Sequence, residues 1–320
     1  MLAAFVTQAD PSDPLAALHV GDHADPEVPE GWVRVRVRAS SLNHHDLWSL
    51  RGVGLPADRM PMILGTDAAG TTDDGRDVIV HAVIASEGWD GDETLDPQRT
   101  LLSELHQGTL AEYVVVPGGN LVDKPAQLAF EEASCLPSAW LTAYRMLTRY
   151  GLTAGDTVLV QGASGGVASA AIQLGHLLGL RTWATARTEA KQAFALELGA
   201  DAAFPSGARL PERVDAVIET VGKATWGHSL KALRPGGTVI ISGATTGNDP
   251  SADLNRIFFL QLRVQGSTMG TREELSRLVD VLMASGVRPR IDRSLPLASA
   301  AEGLAALEAG EVLGKVVLTT

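Results

Sequence analysis

Cysteine is almost missing from this sequence: Cys135 is the only one among 320 residues. A single thiol excludes an intrachain disulfide framework and any structural zinc site built on several thiolates. With Ser134 before it and an apolar helical pattern after it, Cys135 reads as a small buried hydrophobe rather than a reactive thiol. Long apolar runs are missing too. No stretch approaches the length of a membrane span, and the first residues lack the charged-then-apolar order of a secretory leader, so a cytoplasmic protein with no membrane partner is expected. Positive charge is scarce, 26 Lys and Arg against 38 Asp and Glu, and the net charge of −12 argues against nucleic acid as a partner. The basic-looking run Trp32-Val33-Arg34-Val35-Arg36-Val37-Arg38 alternates strictly, which predicts a strand with valines inward and arginines in solvent.

What is present suffices for two domains with separate cores, since 45% of the residues are hydrophobic. The first 115 or so residues read as β-rich and irregular, with strands expected around Val33–Arg38, Asp77–Ala82 and Ala111–Val116. Between them, Gly65-Thr66-Asp67-Ala68-Ala69-Gly70 is a small-residue segment suited to close packing around a site. The segment Ser86–Gly108 is a long loop, acidic in its first half, either mobile or part of a site wall. From about Asn120 the pattern changes to apolar strands alternating with helices, which predicts an α/β fold with a doubly wound parallel sheet. Its strands are expected at Val158–Gln161, Arg181–Thr185, Asp201–Phe204, Asp215–Glu219, Thr238–Ser242 after an Arg234–Gly237 turn, and near Val264–Ser267. Helices over Glu273–Ala284 and Ala300–Leu307 and a strand over Lys315–Leu318 are expected to return to the first domain.

The most informative stretch runs from Val158 to Ala168, where a buried-type strand breaks into Gly162-Ala163-Ser164-Gly165-Gly166-Val167 and resumes as an apolar helix. Glycine lets a backbone approach a pyrophosphate closely, and the N-terminus of the next helix offers unpaired N–H groups to the anion. The turn reads G-x-x-G-G-x-A, and its context, an apolar helix ending near Gly179 and a following strand, is that of a βαβ unit. The tip of the second strand, Ala184-Thr185-Ala186-Arg187, carries no acid for a ribose 2′-hydroxyl, while Lys191 stands four residues beyond Arg187. Two cations at that corner suit a 2′-phosphate, so NADPH is the expected cofactor, with a pair of merely solvated charges as the alternative. Ligands of such sheets bind at the carboxyl ends of the strands, which turns Glu219-Thr220-Val221-Gly222 and Gly243-Ala244-Thr245 toward the cofactor.

Read in order, Leu42-Asn43-His44-His45-Asp46-Leu47-Trp48, Gly65–Gly70, Gly108–Val116, Leu141-Thr142-Ala143-Tyr144, the glycine turn, Glu219–Gly222 and Gly314-Lys315-Val316 resemble the medium-chain dehydrogenase/reductase superfamily. The resemblance spans nearly the whole chain. It implies a GroES-like β-rich catalytic domain from residues 1–118 and 268–320, a Rossmann domain over residues 119–267, and a homodimer joined by edge strands near Val264–Ser267. Thr142, Ala244, Ser267 and Thr268 resemble the family's nicotinamide-side wall, and Lys315 its terminal cofactor contact. The zinc-free quinone oxidoreductase and enoyl reductase branch is the most similar, although Gly266–Thr271 also resembles zinc-type alcohol dehydrogenases. Where the zinc enzymes carry their ligands, this chain has Asn43, Thr66-Asp67 and a position near Ser138, so of these only Asp67 remains a strong metal donor. No metal is therefore expected. The histidines His44, His45, His81 and His106 are weighed as an alternative metal set, against a site-facing His45 and a surface His44.

A substrate carbonyl without a Lewis acid must be polarised by hydrogen bonds, which suits quinones or α,β-unsaturated carbonyls. The expected catalytic groups are Asn43, donating to a developing oxyanion, His45, supplying a proton, and Asp46. Turn chemistry at a strand end is the alternative for Asn43 and Asp46. An alcohol or aldehyde dehydrogenase with an unrecognised metal and a non-catalytic NADPH-binding or sensor protein are the rival readings.

Overall fold

The alternating valines become the strand Trp32–Ser41 of the computed structural model, which describes all 320 residues. Val35 and Val37 are fully buried and Arg36 and Arg38 exposed, while Arg34 pairs with Asp73 and lies 5.3 Å over the Tyr113 ring. Around this strand runs a seven-stranded sheet in the order Leu121–Asp123, Asp77–Val80, Ala68–Thr72, Trp32–Ser41, Lys315–Thr319, Ile291–Pro296, with Tyr113–Pro117 also paired to Trp32–Ser41. A Cβ at Gly70 would stand 2.2 Å from the Arg36 carbonyl oxygen, so only glycine permits the close pairing of these two strands. Leu42, Leu47, Leu50, Leu64, Leu110, Leu304 and Val316 pack as one buried cluster, which ties the helices His44–Leu50 and Ala300–Ala309 to this sheet.

Residues Met1–Leu141 and Gly270–Thr320 form the first of two compact units. It extends past the expected boundary at residue 118 because Leu121–Asp123 pairs with Asp77–Val80 and the helix Phe130–Ser134 packs against Trp32–Ser41. The 86–108 segment carries a short helical turn at Glu93–Leu95 and a short strand Thr100–Leu101 paired to Val83–Ile84.

The second unit, Thr142–Met269, holds a six-stranded, wholly parallel sheet. Its order is Ala202–Pro205, Arg181–Ala186, Thr157–Gln161, Val214–Glu219, Leu233–Ile241, Arg263–Gly266. The chain order reverses between Thr157–Gln161 and Val214–Glu219, the place where doubly wound sheets open a crevice for ligands. Leu159, Trp183, Val217, Trp226, Leu230 and Val239 make the core on one side. Arg234–Gly237, expected as a turn ahead of a strand, instead lies within Leu233–Ile241 as a bulge, since Leu233 pairs with Val214 and Thr238 already with Ala216. Gly236, at φ +74, absorbs the extra residues. Arg263–Gly266 is an edge strand with Val264 exposed, and no helix of the chain is long and apolar enough to cross a membrane.

Candidate active site

After Ser41 the chain passes Leu42 and Asn43 and turns at once into the helix His44–Leu50. Asp46 fixes that turn. Its Oδ2 accepts the Asn43 backbone N–H at 2.8 Å, the bond by which an acid in the first helical turn reaches back. Asp46 is fully buried with Oδ1 unpartnered, and burial, opposed by the His45 charge and the Asn43 bond, pushes its pKa up to about 6. Asp46, expected as a catalytic group, caps this helix and is out of reach of solvent.

The Asn43 side chain turns away from the cap. Its Nδ2 donates to Asp67 Oδ2 at 2.8 Å and lies 3.4 Å from both Ser41 O and Thr66 Oγ1, while its Oδ1 accepts from Lys315 Nζ at 2.7 Å. A cation on one end and a carboxylate on the other leave the amide one orientation. Both amide hydrogens of Asn43, expected to meet a substrate oxyanion, have acceptors within the protein. Lys315, expected as a cofactor contact, is buried in the first unit. It donates to Leu42 O at 2.7 Å as well and stands 3.5 Å from Asp67 Oδ2. Asp67, fully buried, also accepts from Ser41 Oγ at 2.7 Å.

Thr66 Oγ1 and Ser138 Oγ lie 2.9 Å apart, so Asn43, Thr66 and Ser138, which the resemblance sets against zinc ligands, lie together. They do not fit a zinc ion. Asn43 presents hydrogens rather than a lone pair, Thr66 and Ser138 offer neutral hydroxyls, and the Asp67 charge already faces an ammonium. Nor do the histidines converge: His81 lies 3.2 Å from Glu93, His106 pairs with Thr100 at 2.9 Å, and no three His, Cys, Asp or Glu side chains gather as a metal site requires. Cys135 is fully buried and burial pushes its thiol up to about 12, as an inert hydrophobe requires.

His45 meets a partner that local sequence pattern does not reveal. Its Nε2 lies 2.9 Å from Glu104 Oε1, and its Nδ1 is buried without a partner. Burial alone lowers the His45 pKa, but the Glu104 hydrogen bond and the charges of Asp46, Glu104 and Asp67 outweigh it and the net shift is upward. Glu104 follows Ser103, which takes φ +68 in a tight turn closed by the Ser103 N–H on His106 O at 2.8 Å. His44, expected at the surface, is half-buried, and burial followed by the Lys315 and Arg51 charges lowers its pKa.

In the second unit the glycine turn joins the strand Thr157–Gln161 to the helix Gly166–Leu177. Gly162 takes φ +77, and the Gly162 and Ala163 N–H groups both donate to Thr185 O at 3.1 Å. Gly165 sits at the N-cap with no side chain closing the first helical turn, and a Cβ there would meet nothing within 4 Å. Those open N–H groups fit a pyrophosphate. Thr185, expected to touch the cofactor, is fully buried and donates its hydroxyl to Gln161 Oε1 at 2.6 Å, so it shapes the turn from behind. Glu219 does the same at the next strand end. Fully buried, it accepts the N–H groups of Val221 and Gly222 at 2.8 and 3.0 Å and the hydroxyls of Thr225 and Ser229 at 2.8 and 2.5 Å. Gly243, Ala244 and Thr245 are at least partly open after Leu233–Ile241, Ser267 bonds Ile241 O through its N–H at 2.8 Å, Thr268 is exposed and Thr142 nearly buried. Arg187 is exposed past the end of Arg181–Ala186, and Lys191 is near enough that burial and then the Arg187 charge lower its pKa.

A family model described as zinc-binding dehydrogenase matches residues 166–284, and one described as alcohol dehydrogenase GroES-like domain matches residues 29–126. A 2-methylene-furan-3-one reductase of Solanum lycopersicum is 31% identical over 307 residues, 92% of this chain and 73% of that protein. Two solved structures are similar over almost the whole chain. A crystal structure of an NAD-dependent alcohol dehydrogenase is 34% identical with a TM-score of 0.91, covering 100% of each chain. A 2-octenoyl-CoA carboxylase reductase in complex with NADP and 2-octenoyl-CoA is 26% identical with a TM-score of 0.90, covering 99% of this chain and 87% of that one. The GroES-like sheet, the parallel Rossmann sheet and these likenesses agree, and the chain belongs to the medium-chain dehydrogenase/reductase superfamily of oxidoreductases.

Proposed function

We propose that this chain reduces an activated acceptor, an α,β-unsaturated carbonyl or a quinone, with NADPH and without zinc. One observation carries the reading: the positions matched to zinc ligands hold a hydrogen-bonded cluster, Asn43, Thr66 and Ser138, whose one neighbouring acid faces the Lys315 ammonium. Such a cluster polarises an acceptor that is already electron-poor and serves a simple alcohol poorly. The likeness to a reductase of an unsaturated furanone and to an enoyl-CoA reductase holding NADP supports both the acceptor class and the cofactor.

When bound, NADPH supplies the hydride. The Gly162–Val167 turn and the open first turn of the helix after it would hold the pyrophosphate, and Arg187 with Lys191 the 2′-phosphate. Val221, the Gly243–Thr245 segment, Thr142, Ser267 and Thr268 would line its nicotinamide half. His45, whose pKa the Glu104 hydrogen bond raises, would supply the proton that completes the reduction.

The test follows NADPH and NADH consumption by chelator-treated protein with a quinone and an α,β-enone. Turnover that survives chelation and prefers NADPH is the expected result. Turnover lost on chelation and restored by zinc, or oxidation of a simple alcohol with NAD, would instead mark an alcohol dehydrogenase like the 34% identical structure. Tight NADPH binding with no turnover on any acceptor would mark a non-catalytic NADPH-binding protein.

A further inference from the structure

We propose that the Ser138 hydroxyl is the group that hydrogen-bonds the acceptor's carbonyl oxygen. The inference rests on the reductase reading: hydride adds to the β-carbon, the π pair moves onto the carbonyl oxygen as an enolate while NADPH becomes NADP⁺, and a proton then adds at the α-carbon. The charge to be stabilised therefore appears on one oxygen, and the question is which donor meets it.

The hydrogen-bond directions single out Ser138. Lys315 has hydrogens only to give, so it faces Asn43 Oδ1 and turns Nδ2 toward Asp67 and Thr66. Thr66 is 2% exposed, and Ser138 Oγ, 2.9 Å away, is the one acceptor its hydroxyl hydrogen can reach, whereas the partly exposed Ser138 can direct its own hydrogen outward. Ser138 thus accepts from Thr66, and its own O–H is left with no acceptor in the protein. Each hydroxyl is polarised by the one behind it, back to a buried ammonium.

The local backbone makes the same choice. Ser138 lies in a π-helical turn, Leu136–Trp140, a geometry that recurs at functional positions in helices. Leu136, Pro137, Ala139 and Trp140 are all buried, and Ser138 alone in that turn is partly exposed. Thr66 is 2% exposed, so it has no direct route to a substrate and acts as a positioning residue.

The test compares wild type with Ser138→Ala, Ser138→Thr, Thr66→Val and the Ser138→Ala/Thr66→Val double variant. The readouts are enone turnover, NADPH Kd and thermal unfolding. Loss of one oxyanion donor is expected to lower kcat about 10²- to 10³-fold, with NADPH Kd and unfolding unchanged and with Ser138→Thr restoring activity. Thr66→Val is expected to lose less, and the double variant no more than Ser138→Ala alone, because both cut one chain of donors. Wild-type turnover matched within twofold by Ser138→Ala, or additive losses in the double variant, overturns this inference and leaves the reductase reading standing. No turnover by the wild-type chain overturns both. Should Ser138→Ala not fold, Ser138→Thr and Thr66→Val decide: a Thr66→Val enzyme as fast as wild type also overturns it.

Discussion

Lys315→Met removes a buried ammonium and nothing else of comparable size. In the wild-type chain Nζ gives hydrogen bonds to Leu42 O and Asn43 Oδ1 and faces Asp67 Oδ2 at 3.5 Å. At that separation and an effective dielectric of about 20, two unit charges attract by about 5 kcal/mol. Without Lys315, Asp67 keeps only the Ser41 hydroxyl and the Asn43 amide, both neutral, and remains fully buried. Stripping one partner from such a pair is expected to cost about 3–5 kcal/mol, because the other charge is left uncompensated. Removing both charges should cost less. In a Lys315→Met background, Asp67→Asn is therefore expected to restore at least about 2 kcal/mol. Urea unfolding followed by tryptophan fluorescence and far-UV circular dichroism measures both, with the transition of the first unit resolved from that of the second. A Lys315→Met chain within about 1 kcal/mol of wild type, the range of an exposed ion pair, would refute the reasoning. So would a double variant less stable than Lys315→Met alone.

Glu104→Gln keeps a hydrogen-bonding group beside His45 but removes the carboxylate that raises its pKa, so the His45 titration, read by ring-proton NMR, is expected to move to lower pH. Because the folded-state His45 pKa is raised, the pair stabilises fully below the ordinary histidine value and loses that contribution as pH rises through the folded value; Glu104→Gln should flatten this dependence in thermal unfolding. Asp46 moves stability in the same direction: with its pKa raised to about 6, stability falls as pH rises from the ordinary carboxylate range through that value. Asp46→Asn keeps an acceptor for the Asn43 N–H and should abolish that loss, worth about 3 kcal/mol at neutral pH, in unfolding curves taken from pH 4 to 8. Arg187→Ala with Lys191→Ala is expected to raise the KM for NADPH about tenfold or more while leaving that for NADH unchanged, which steady-state kinetics with the two cofactors would check.

The parallel sheet was legible because its inner strands are buried on both faces and read as continuous apolar runs, broken by glycine at the carboxyl ends where the cofactor turn lies. The alternation of Val33–Arg38 was legible for the converse reason, one face in the core and one in water. The Lys315 to Asp67 pairing was not, because 248 residues separate the partners and nothing local to either announces the other. Glu104 was hidden among the other acids of its loop, and its aim at His45 depends on Ser103 holding a left-handed backbone without being glycine. Asp46 shows the limit from the other side. Its spacing from Asn43 suits a helix cap and a catalytic pair alike, and neither the cap bond nor the burial of Asp46 could be read from that spacing. The Arg234-Pro235-Gly236-Gly237 sequence has turn composition, yet its neighbours stay paired in the sheet and the surplus residues bulge out.

The division of the chain also orders events during its synthesis. The second unit is one continuous stretch, Thr142–Met269, and has all its strands as soon as residue 269 clears the ribosome. The first unit, begun earlier, cannot finish until Lys315–Thr319 arrives to pair with Ala39, Ser40 and Ser41 on one side and with Ile291–Pro296 on the other. Until then a nascent chain carries an open sheet edge and an Asp67 carboxylate without its cation, a state prone to wrong partners. The unit that starts first is thus completed last, and a chain cut short before Lys315 would still hold the whole nucleotide fold while lacking the charge around which the rest of the site is set.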